Sequence, residues 1–72
     1  MTAKNQEIDL QHLTLPDWVH WLAQDADGRW WGFEAEPHPH HQGWYENEVG
    51  RRQRLHSGAA NPDWLQTLMR RR

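Results

Sequence analysis

The sequence predicts an α+β domain: an antiparallel β-meander of three or four strands, with one short C-terminal α-helix packed on one face. Three observations carry this expectation. Large apolar residues alternate with period two through residues 17–24 and 29–36, the spacing of a pleated strand. An Asp-Gly pair, Asp27-Gly28, separates those two runs and is a strong hairpin signal, because glycine accepts the positive φ of a tight turn. Asn61-Pro62-Asp63-Trp64 then reads as a helix start, with Asn as N-cap, Pro at the first helical position and Asp at the positive end of the dipole. The chain has 72 residues, enough for one domain. A chain this short buries only about 60% of the surface its unfolded form exposes, so its core must be efficient. Six tryptophans are the means, although only 36% of the residues are hydrophobic; each aromatic buries roughly 150–250 Å².

Residues 1–6 are polar, and a frayed terminus is expected there. Residues 7–15 put Ile8 and Leu10 on one side and break the alternation at Leu13, which fits either an edge strand or a turn of helix, ended by Pro16. The first strand, residues 17–24, sets Trp18, His20 and Leu22 against Val19, Trp21 and Ala23, so both faces carry large apolar groups. The return strand, residues 29–36, sets Trp31, Phe33 and Ala35 against Trp30, Gly32, Glu34 and Glu36, with Gly32 admitting a close neighbour. Two prolines and a glycine make residues 37–43 a loop without ladder pairing. Residues 44–55 form the third strand, interrupted at Gly50, and its Arg51, Arg52 and Arg54 suit an exposed edge. The meander thus spans residues 17–55, and after a flexible connection the helix spans 61–70, with Trp64, Leu65, Leu68 and Met69 on one face.

The run from Trp21 through Ala23, Asp25, Asp27, Gly28, Trp30, Trp31 and Phe33 to Glu34 resembles a hairpin shared by small uncharacterised accessory proteins of tailed bacteriophages and prophages. Pro37, the Gly43-Trp44-Tyr45 strand start and the Asn61-Pro62-Asp63-Trp64 ending add to the resemblance, which covers most of residues 18–68. It implies a phage or prophage origin and a protein that binds, and inhibits or modulates, a host protein. The motif encodes a hairpin and its packing, and assigns no functional residue.

The residues exclude several chemistries. With no cysteine, there is no disulfide framework and no thiolate metal or redox site. The opening MTAKNQEIDL lacks the apolar core of a signal peptide, and no apolar run approaches the length of a membrane span, so the expected location is the cytoplasm of a bacterial host. Ser57 is a lone loop serine, no glycine-rich phosphate loop is present, and no cofactor or catalytic residue is expected. Asp25, Asp27 and Gly28 open like a calcium loop but lack its later ligands. Glu34, Glu36, Glu46 and Glu48 on adjacent strands would make an acidic stripe rather than a glycosidase pair, since so short a chain has little room for a cleft.

Binding remains. The net charge is −2, but nine of the ten acids precede Arg51, whereas six arginines follow from that position onward against Asp63 alone. Alternation leaves Trp18, Trp30 and Trp44 on a face that one short helix does not cover. Together with Glu34, Glu36, Glu46 and Glu48 they form the predicted acidic, aromatic surface for a host protein or a second copy of the chain. The alternative is a small nucleic-acid-binding regulator using Arg51, Arg52, Arg54, Arg70, Arg71 and Arg72, with Trp44 and Tyr45 for stacking. His38, His40 and His41 in the proline-rich loop are a lesser candidate for a metal site.

Overall fold

A computed structural model describes residues 15–46 and 50–71. The predicted frayed terminus 1–6, all of segment 7–15 but Leu15, and positions Glu48 and Arg72 lie outside the described residues. The strands are β1 (Trp21–Gln24), β2 (Arg29–Phe33), β3 (His38–His40), β4 (Gly43–Tyr45), β5 (Arg52–Ser57) and β6 (Met69–Arg70). They form a four-stranded sheet in the order β5-β2-β1-β6 and a two-stranded sheet of β3 and β4, with every pairing antiparallel.

The β1–β2 hairpin forms where the Asp-Gly signal lies. Its loop is Ala26, Asp27 and Gly28, closed by the Asp25 amide donating to the Arg29 carbonyl at 2.9 Å, and Gly28 holds φ at 99°. A three-residue loop ending in a positive φ preserves the right-handed twist of the flanking strands. Both faces of this hairpin are buried. On one, Ala23 and Phe33 pack with Trp44, flanked by Trp21, Trp31, Trp64 and Leu68. On the other lie Leu22, Trp30 and Val19, where a Cβ on Gly32 would come within 2.8 Å of a Val19 methyl.

Three sequence expectations are corrected. First, the described residues contain no α-helix, so no C-terminal helix packs on the sheet. The Asn61 side chain accepts the Asp63 amide at 2.8 Å, and the chain makes a single 3₁₀ turn, Trp64–Gln66. Thr67 then turns its hydroxyl onto the Trp64 carbonyl at 2.7 Å and receives the Gln24 amide at 2.9 Å. A hydroxyl competing for backbone groups ends the turn, and Met69 and Arg70 pair with Leu22 and Trp21 as the fourth strand. A segment of ten residues has little helical stability of its own; pairing along the free edge of β1 satisfies its backbone instead.

Second, residues 37–43 are not an unpaired loop. His38, Pro39 and His40 pair with Tyr45, Trp44 and Gly43. Alternation puts Pro39 and Trp44 at a position without direct ladder bonds, so the missing proline N–H breaks nothing, and the Trp44 amide points away to the Asp25 carboxylate at 3.1 Å. His41, at φ 58°, makes the turn. Third, the predicted third strand 44–55 is two strands in different sheets, β4 and β5, with Gly50 between them.

Gln24 joins these parts. It is buried, and its side chain donates to the Gly28 carbonyl at 3.0 Å and accepts from the Asn61 amide group at 2.8 Å. Its carbonyl accepts the Trp44 indole N–H at 2.8 Å. One buried polar residue thus has its groups satisfied by the hairpin turn, the small sheet and the C-terminal segment, as burial of a polar side chain requires.

Candidate anion-binding face

The described residues of the predicted acidic, aromatic surface are not brought together as one exposed face. Trp30 and Trp44 are core residues, 6% and 8% exposed. Trp18 is half-buried beneath the Arg51 guanidinium, whose Cζ stands 4.8 Å from the ring centroid. Glu34 is occupied: one oxygen accepts both the amide and Nε of Arg51, at 3.0 and 3.1 Å, and the other accepts Nη2 at 3.2 Å. These bonds, the side-chain ones first, hold the Glu34 carboxyl down at about 2. Glu46 receives the Gly50 amide at 3.1 Å, and Glu36 is exposed.

The arginines are placed differently from one another. Arg51 belongs to the Glu34 pair, and Arg71 is structural, donating through Nη1 to the carbonyls of Pro16 and Val19 at 2.8 and 3.0 Å. Arg52, Arg54 and Arg70 are exposed, and among the described residues none of them has a carboxylate partner. Register puts all three on the same side of the four-stranded sheet but at its two edges, Arg52 and Arg54 on β5 and Arg70 on β6. Arg70, Trp21, Phe33 and Arg52 form one cross-strand row, and Ala23, Trp31 and Arg54 the next, with Phe33 and Ala23 in the middle of that side buried against Trp44. The Arg70 guanidinium lies 5.6 Å from the Trp21 ring and that of Arg52 lies 5.0 Å from Trp31.

A guanidinium within about 6 Å of a tryptophan ring centroid is attracted to the ring's face. Two of the three exposed arginines therefore have an aromatic neighbour, and an exposed guanidinium can donate to carboxylate or phosphate. At strand spacing, the row from Arg70 to Arg52 spans about 15 Å, and Arg52 and Arg54 stand roughly 7 Å apart. Sequence reasoning named these arginines but missed Trp21 and Trp31 as their supports. The missing signal was cross-strand register, since Trp21 is forty-nine positions from Arg70 in the chain and only pairing of β1 with β6 joins them.

The other candidates carry less. Among the described residues no three His, Asp or Glu side chains are arranged to hold a metal ion. His38 and His40 are exposed on β3, and the His40 ring meets His41 edge-on at 4.2 Å. The calcium-like Asp25 is turned inward, where it accepts the Trp31 indole N–H at 2.9 Å and the Trp44 amide. Among the described residues no helix is long and apolar enough to cross a membrane. Comparison with family models, curated proteins and solved structures finds no match.

Proposed function

We propose that this chain is a small protein-interaction module, not an enzyme, and that it binds an acidic surface of a partner protein through the exposed arginines at the edges of the four-stranded sheet, Arg52 and Arg54 beside Trp31 and Arg70 beside Trp21. The observation that carries this reading is that Arg52, Arg54 and Arg70 are exposed and have no carboxylate partner among the described residues, two of them lying near half-buried tryptophan rings. Tryptophan and arginine are the residues that dominate interface energetics when they cluster. The charge of the surface is the reverse of the acidic face expected from sequence. The hairpin's resemblance to small phage accessory proteins supports a host protein in the bacterial cytoplasm as the partner.

Capture from bacterial lysate by the native chain and by a variant carrying Arg52→Glu, Arg54→Glu and Arg70→Glu tests this. The expected result is an acidic protein retained by the native chain and lost by the variant at least tenfold, the scale of a few charge-assisted contacts, with both proteins equally folded by circular dichroism. Equal retention by the two would refute it.

The same exposed arginines beside tryptophan rings favour a second reading, in which they grip single-stranded nucleic acid by charge and aromatic stacking. Binding of a labelled oligonucleotide that falls steeply with salt would favour it; no binding at low salt would exclude it.

A further inference from the structure

The arginines of β5 also stand on an open sheet edge. β5 pairs with β2 along one side, and among the described residues no strand flanks its other side. In an antiparallel pair, successive residues alternate between pointing their N–H and C=O at the partner and pointing them away. The Glu34 amide donates to the Arg51 carbonyl at 2.9 Å, which fixes the phase: Arg51 and Gln53 face β2, and Arg52 and Arg54 face outward. Beyond the bulge opposite Trp30 and Trp31, the Gly58 amide donates to the Gly28 carbonyl at 2.8 Å, so Ser57 faces outward as well. Two of these outward residues, Arg52 and Arg54, carry exposed guanidinium groups that have no carboxylate partner among the described residues.

We propose that β5 accepts an extended acidic segment of a partner protein as an added strand, the segment bonding to the Arg52 and Arg54 backbone while its carboxylates meet their side chains. This rests on the protein-binding reading above and names how the partner docks. Charge selects the occupant. β5 reads Arg-Gln-Arg-Leu-His-Ser, with no acid. A second copy of β5 laid alongside would set arginine against arginine, and cross-strand like charges repel. Charge on an edge ordinarily blocks association; here it excludes neutral and basic strands and admits one whose alternate residues are Asp or Glu. Strand addition of this kind takes its affinity from main-chain bonds and its specificity from alternate side chains.

The probe is a fluorescent, end-blocked peptide of eight residues alternating Glu and Val, titrated at low salt against the native chain, Arg54→Ala and Arg54→Pro. Arg54→Ala removes the side chain alone and is expected to weaken binding about tenfold. Arg54→Pro also removes an outward N–H, a change an edge strand tolerates, and is expected to weaken binding about tenfold further. Hydrogen exchange on the native protein supplies a readout independent of proline's effect on folding: the Arg52 and Arg54 amides slow when peptide saturates the site. Binding with equal losses in the two variants and no protection of those amides overturns strand addition while leaving the face as a binding surface. No binding of the acidic peptide, with a single-stranded oligonucleotide bound instead, overturns both.

Discussion

Glu34 shows how one ion pair changes the meaning of a sequence. Read along the chain, it belongs to an acidic stripe; in the fold, Arg51 holds it through two side-chain bonds and one backbone bond. Its carboxyl is held at about 2, against 4.5 in an unfolded chain. The folded state therefore keeps the charged form longer, so the pair's stabilisation is complete above pH 4.5 and is lost as pH falls from there through about 2. Asp25 has the opposite sign. Burial pushes its carboxyl above the ordinary value, outweighing the Trp44 amide and the Trp31 indole N–H that favour the charged form. Its contribution favours the folded state as pH falls toward 3.8. In Glu34→Gln, the part of the acid-induced loss of melting temperature between pH 4.5 and 2 that belongs to this pair is expected to vanish. An unchanged acid limb would mean that the pair does not act on stability.

At the scale of elements, what was legible followed local chemistry, and what was not depended on distant partners. The β1–β2 hairpin was readable because Asp27-Gly28 determines a turn within four residues. Gly28 has a second constraint that no local pattern shows: a Cβ there would collide with the Gly58 and Ala59 carbonyls, which the chain brings in from the far end of β5. Gly28→Ala is therefore expected to cost more than the 1 to 3 kcal/mol or so of a strained φ alone, measured by urea denaturation. A smaller loss would show that the segment after β5 moves aside freely. The C-terminal helix was misread for the same reason of distance. Asn61-Pro62-Asp63 is a sound start signal, but Thr67 finds Gln24 across the sheet and β1 has an edge to fill. Of the basic surface, the three arginines were in view; Trp21 and Trp31 came beside them only through the pairing of β1 with β6 and of β2 with β5.

For the molecule as a whole, the surplus of tryptophan is resolved by a second sheet rather than by a helix. Trp44 of β4 closes over Ala23 and Phe33, and meets Trp64 edge-on with ring centroids 5.8 Å apart. Its amide and indole N–H groups reach Asp25 and Gln24, both at the end of β1. One residue therefore couples the two-stranded sheet to the four-stranded one, and neither a two-stranded hairpin nor an open face of this size is stable alone. The expectation is a single cooperative transition, with tryptophan fluorescence and far-ultraviolet circular dichroism superimposing in urea. Trp44→Phe keeps an aromatic ring but removes the indole donor and some buried area, and is expected to cost about 1 to 3 kcal/mol. Because the two sheets share this contact, both probes should shift together. If fluorescence moves to lower urea while the dichroism midpoint stays, the small sheet is an independent flap, and the core must be held by the β1–β2 hairpin and its edge strands alone.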